Sequence, residues 1–336
     1  KLAPSARFVF AEISNWRNRS KIMKKEDKIF IHDDIFPQIS SEEQFQGYVK
    51  AHPELDPEYI LQHCYIHRQD TRNWLESIWE KYHDYAEPDF LTHLREPKGF
   101  HPFTWQMYLA SVILDKNYKL QSNKGSGPDL QIKLDGKNIW IEAVRTTPGE
   151  DKSATGLPQS GAIYDGLDPR IGRISNALTE KHKKYTEKYN GSICKEDEPF
   201  IIAINGSETN TLNESRAAES AVYGRGNDVL RRMQDGSMQG GFYELREAVA
   251  VQKGSGQVTI PANYFCNDSY KEISGIIYCE QHVINANNYG RTPEGNLYFL
   301  LNPYAKNQID PKEFNIGKLI LMNKNRQIIR EYERIL

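Results

Sequence analysis

Apolar and polar positions alternate most clearly in GPDLQIKLDGKNIWIEAV, Gly127 to Val144. Two runs of strand length flank Asp135-Gly136, and Asp-Gly is a strong signal for a two-residue type I′ hairpin turn, whose two centres both need positive φ. With those residues as the centres, Leu134 faces Lys137, Ile132 faces Ile139, Leu130 faces Ile141 and Asp129 faces Glu142. Leu130, Ile132, Ile139 and Ile141 then share one apolar face, and Asp129, Gln131, Lys133, Trp140 and Glu142 share the other.

Elements on either side of the hairpin are legible from their periodicity. FTWQMYLASVILDKNY places Trp105, Leu109, Val112 and Ile113 on one helical face. A Pro/Gly/Ser-rich loop from Thr146 to about Asp168 leads into PRIGRISNALTEKHKKYTEKY, a predicted helix whose apolar stripe runs Ile171, Ile174, Leu178, Tyr185 and Tyr189. PFIIAIN reads as a buried central strand, and further strands are expected at QVTIP, ISGIIYC, NLYFLLNP and KLILMN. This order predicts an α/β (α+β) domain with a mixed central sheet flanked by helices. In residues 1 to 95, Ile60, Tyr65, Trp74, Ile78 and Tyr82 recur at helical spacing, which predicts a mostly helical N-terminal extension. Pro88, Pro97 and Pro102 mark the boundary with a domain over 96–336, in which 207–241 reads as an insertion of loop and helix.

Composition narrows the class without naming the function. The 336 residues are 38% hydrophobic and 26% charged, which suits a globular chain with a real core, and no apolar run approaches membrane-spanning length. A net charge of -2 means that any nucleic-acid surface must be local. The four cysteines lack CxxC spacing and suit free thiols in a reducing compartment. The opening KLAPSARFVF lacks the layout of a signal peptide, so the expected compartment is cytoplasmic, with export by a signal-independent route left open.

Directly opposed residues in a hairpin have Cβ atoms about 4.5–5.5 Å apart, and like charges there repel. A divalent cation offsets that repulsion, because Mg²⁺ takes hard oxygen ligands from one or two carboxylates and fills its octahedron with water or phosphate. The alternatives are a solvated sheet face, or a longer turn that shifts the register.

Pro128-Asp129, a turn and then Glu142, on a hairpin with a helix before it and a helix and strand after it, resembles the PD-(D/E)xK phosphodiesterase superfamily with its restriction-endonuclease-like fold. The resemblance covers roughly Phe100 to Asn205. It implies a Mg²⁺- or Mn²⁺-dependent nuclease in which Asp129, Glu142 and the main-chain carbonyl of Ala143 bind the metal, acting on nucleic acid, DNA in preference to RNA. A homodimer is compatible with it, and a membrane partner is not expected.

Two positions depart from the superfamily's pattern. Where it has a lysine two residues after Glu142, this chain has Val144, and Arg145 points to the opposite face. Lys181, three residues past Leu178, falls in the inward register of the following helix, and some members of the superfamily have moved the lysine to that helix. Related nucleases place a glutamate on the helix before the hairpin, where this chain has Gln106. Arg145, Arg170 and Arg173 and the basic run EKHKKYTEK are the expected phosphate contacts, the run reading otherwise as a solvated helix face. The same departures support a second expectation, a nuclease-like fold without catalysis that binds nucleic acid or protein. A glycosidase carboxylate pair, a zinc pair at His63 and His67 and a Ser153 or Ser160 nucleophile have little support from their surroundings.

Overall fold

A computed structural model describes residues 28–30, 37–122, 125, 127–147, 167–207, 215–253, 256–285, 293–323 and 326–331. Most of the predicted loop after Thr146, with Ser153 and Ser160, lies outside these residues. Two compact units divide at Met107/Tyr108, later in the chain than the prolines from which the sequence places the boundary.

The first unit is helical: α1 (Glu42–Ala51), α2 (Pro57–Cys64), α3 (Gln69–Tyr82), α4 (Phe90–Arg95) and the first half of α5 (Phe100–Asp115). Ser41 and Asp56 cap α1 and α2 through side-chain bonds to the amides of Gln44 and Glu58. The periodic pattern in this region is not one helix. Tyr65 is extended, so α2 stops at Cys64, and Arg72 Nη1 closes the break by donating to the carbonyls of Gln62, His63 and Tyr65 at 2.9–3.1 Å. His67 falls in the 3₁₀ turn beyond the break, so it and His63 do not share one helical face. Gln106, buried on α5, donates its amide to the phenol of Tyr82 at 3.0 Å.

The second unit is built on an eight-stranded mixed sheet. Its strands are β1 (Lys119–Gln121), β2 (Leu130–Leu134), β3 (Lys137–Arg145), β4 (Phe200–Asn205), β9 (Gly275–Cys279), β10 (Tyr298–Leu301), β11 (Lys318–Met322) and β12 (Ile328–Glu331), in that spatial order. β3, β4 and β9 run parallel, and the remaining pairs are antiparallel except β10 with β11. The run Phe200–Asn205 is buried on both faces, as a central parallel strand requires.

Helix α6 (Leu167–Lys184) lies over one face of this sheet. Its Ile171, Ile174 and Leu178 share a core with Trp140, Phe200, Ile202 and Ile276. A separate two-stranded ribbon, β7 (Ala248–Lys253) with β8 (Gly256–Pro261), packs against α6. Gly172 makes this approach close enough: a Cβ there would come within 2.7 Å of Val251 Cγ1. Held by the sheet and the ribbon, α6 ends in a π-helical turn, Tyr185–Tyr189, which turns both tyrosines into the core.

The expected insertion of loop and helix contains α7 (Arg216–Tyr223), as predicted, followed by an unpredicted ribbon of β5 (Arg225–Arg232) and β6 (Met238–Leu245). Its turn signal is Asp235-Gly236, where Gly236 has φ +83°; two register irregularities blur the alternation that would mark it as a hairpin. Glu219 of α7 is wholly buried and accepts bonds from Ser215 Oγ (2.7 Å), Arg225 Nη1 (2.8 Å) and Arg330 Nε (2.9 Å). These bonds join α7 to both β5 and the edge strand β12. Burial alone would raise the Glu219 pKa, but the two guanidiniums outweigh it and hold it below the ordinary value.

Candidate metal and phosphate site

The hairpin register is the predicted one: Leu130 pairs with Ile141, Ile132 with Ile139 and Leu134 with Lys137. Asp135 (φ +47°) and Gly136 (φ +82°) form the turn, both in the left-handed region that a type I′ geometry demands. Asp129 stands one residue before β2, and its Oδ2 accepts the Ala143 N–H at 2.7 Å. Since N–H and C=O of one strand residue face the same neighbour, the Ala143 carbonyl is on that edge too, beside Asp129.

The face carrying Glu142 is not a solvated one. Trp140 and Glu142 are buried beneath α6, and Trp140 Nε1 donates to Glu198 at 2.6 Å. Glu142 is 1% exposed, and its two oxygens differ sharply. Oε1 accepts from both Lys181 Nζ and Lys184 Nζ, each at 2.7 Å. Oε2 is buried and has no hydrogen-bond partner among the described residues. A buried carboxylate oxygen left in this state costs free energy unless something else satisfies it.

Burial, reinforced by the Glu142 charge, pushes the Asp129 carboxyl up to about 7; Lys181, the Ala143 amide and Lys184 pull the other way. Burial also works against the Lys184 ammonium, but its bonds to Glu142 and Tyr189 prevail and hold its pKa above the ordinary lysine value. Lys184 also sits 5.1 Å from the centroid of the Tyr189 ring.

Two carboxylates, one with an oxygen lacking a partner, and an adjacent main-chain carbonyl are hard oxygen donors of the kind Mg²⁺ or Mn²⁺ takes. Among the described residues no group of three or more His, Cys, Asp or Glu side chains is arranged to hold a metal. The fit is therefore to an ion that keeps several waters, not to an all-protein cage.

The predicted residues are distributed as follows. Val144 pairs with Ile204 and packs on the core, so its position offers no cation, and Lys181 brings one to Glu142 from α6. Arg145 takes the opposite face by strand alternation, and its charge helps burial lower the His282 pKa. Arg170 is buried near Tyr278, and Arg173 is half-buried on α6. Lys184, one helical turn beyond Lys181, belongs to the run EKHKKYTEK, which the sequence offers for phosphate contacts or as a solvated helix face; its bond to Glu142 is what sequence reasoning missed.

No known family profile and no solved structure matches the chain. A stretch of 129 residues, 36% of the chain, is 28% identical to an uncharacterized sulfatase, YidJ, of Escherichia coli strain K12. It covers 25% of that protein, so the chain spans about a quarter of the length of the curated relative it matches. Among the described residues no helix is long and apolar enough to cross a membrane. The second unit is a mixed α/β domain whose large sheet places Asp129, Glu142, Lys181 and Lys184 in one polar cluster.

Proposed function

We propose that this protein is a Mg²⁺- or Mn²⁺-dependent nuclease of restriction-endonuclease-like fold, hydrolysing phosphodiester bonds of nucleic acid, DNA in preference to RNA. The observation behind this reading is Glu142: a buried carboxylate with two ammoniums on one oxygen and, among the described residues, no partner on the other. An ordinary structural ion pair satisfies both oxygens.

Asp129, Glu142 and the Ala143 carbonyl would hold the cation, which supplies Lewis-acid polarisation of a phosphoryl oxygen and a bound water of lowered pKa. Asp129 must give up its proton to serve as a ligand, and Lys181 and Lys184 favour that loss. Lys181, anchored on Glu142 and 20% exposed, would orient the attacking water and stabilise negative charge as it develops. Of the predicted arginines, half-buried Arg173 on α6 is the phosphate-contact candidate; Arg145 lies on the opposite face and Arg170 is buried.

The test is incubation of the protein with plasmid DNA and with RNA in Mg²⁺, in Mn²⁺ and in EDTA, with Glu142→Gln as control. Metal-dependent cleavage lost in the variant supports the reading. Intact substrates, together with cation binding insensitive to Glu142→Gln, would overturn it; metal-independent nucleic-acid binding would then favour the non-catalytic alternative. An aryl sulfate belongs in the same assay, given the likeness to a sulfatase, and its hydrolysis in place of the diester would move the substrate class to sulfate esters.

A further inference from the structure

Glu142 Oε1 holds two ammoniums where its own charge needs one. One ammonium neutralises a carboxylate, and Lys181, the less exposed of the two, already does so at 2.7 Å. Lys184 takes the same Oε1, leaves Oε2 bare, and is 37% exposed. It has a second anchor in Tyr189, over whose ring its Nζ sits 5.1 Å from the centroid. That anchor exists because α6 ends in the π turn, in which the Asn190 amide donates to the Tyr185 carbonyl at 2.9 Å.

A charge count points the same way. Ionised Asp129 and Glu142 balance Lys181 and Lys184, so the four side chains are neutral together. With a divalent cation on the carboxylates, two positive charges are in excess. A hydrolytic site matches one of them at the reacting centre, as the attacking water loses its proton, and the other with a phosphate monoanion. Two lysines on one oxygen repel each other, and a ligand that draws off the more exposed one relieves that repulsion.

We infer that Lys184 is a substrate-contacting residue: its ammonium leaves Glu142 Oε1 for a phosphate oxygen of the bound nucleic acid, while Tyr189 retains it at the site. The inference rests on the nuclease reading and divides the two lysines, Lys181 serving the reacting centre and Lys184 the grip on the backbone. Each phosphate contact adds to the salt dependence of binding, and losing one lowers the slope of log K against log salt by about 1.

The experiment measures equilibrium binding of a fluorescein-labelled DNA duplex in Ca²⁺ over a range of salt, for wild type, Lys184→Gln, Lys184→Arg and Lys181→Gln. The expected result is a slope shallower by about 1 for Lys184→Gln, a wild-type slope for Lys184→Arg and for Lys181→Gln, and, in Mg²⁺ turnover, a raised KM for Lys184→Gln against a lowered kcat for Lys181→Gln. Lys184→Arg keeps the charge and Lys184→Gln removes little packing, so a circular-dichroism melt separates loss of grip from loss of fold. A wild-type slope in a folded Lys184→Gln overturns the inference and leaves the nuclease reading standing. Wild-type protein that binds no DNA at any salt overturns both.

Discussion

Lys181 Nζ lies 2.7 Å from Glu142 Oε1, joining the end of a helix to the second strand of a hairpin across 39 residues of sequence. Two residues beyond Glu142 on the strand stands Val144, packed against the core. The cations at Glu142 therefore come from α6 and not from β3.

If Lys181 performs the strand lysine's task, Lys181→Ala lowers kcat by about 10²–10³, the usual cost of losing one charge-stabilising donor, and leaves the melting curve close to wild type. The double variant Lys181→Ala/Val144→Lys regains part of that loss, since position 144 shares the Glu142 face. Steady-state kinetics on a DNA duplex checks both, and an unchanged kcat in Lys181→Ala would show that the lysine is structural.

Asp129→Asn removes the charge that burial and Glu142 penalise, while keeping an oxygen for the Ala143 amide. The expected outcome is a higher melting temperature than wild type at pH 8 in EDTA, together with loss of Mn²⁺ binding by calorimetric titration. A fall in melting temperature with metal affinity retained would contradict the ligand assignment.

The pH dependence follows from the same carboxyl. Its folded pKa is raised to about 7, against about 3.9 in the unfolded chain. Between those values the native state holds a proton that the unfolded chain has released, so this group's contribution to metal-free stability declines as pH rises through the window and is level beyond it. In saturating Mn²⁺ the decline disappears, because the cation replaces the proton. Melting temperatures across pH 5 to 8, in EDTA and in Mn²⁺, read the difference directly.

Glu219→Ala tests the tie between α7, β5 and β12. It leaves Arg225 and Arg330 without their buried partner, and breaking such a pair costs about 3–5 kcal/mol. The folded pKa of Glu219 is depressed, so its contribution is present above the unfolded carboxyl value and is lost as pH falls through the folded one. Urea unfolding of wild type and variant at neutral pH measures the difference; a loss under 1 kcal/mol would mean that the arginines find water instead.

Much of the site was legible in the chain itself. Asp135-Gly136 dictates the turn, the turn dictates the register, and strand alternation then puts Asp129 and Glu142 side by side, because each step is local. The apolar stripe of α6 and the inward register of Lys181 followed from helical periodicity for the same reason. Three features depended on more than the periodicity of a single element. Helical spacing did not reveal the break at Tyr65, where Arg72 satisfies the open carbonyls. The β5–β6 ribbon was hidden by its bulged register. Lys184 stood in a basic run open to a phosphate-contact or a solvated reading, and only the packing of α6 over β3 brought Glu142 within its reach. Periodicity fixes which face of an element a residue occupies; which neighbour it meets there, and whether an oxygen such as Glu142 Oε2 is left bare, depends on how separate elements pack.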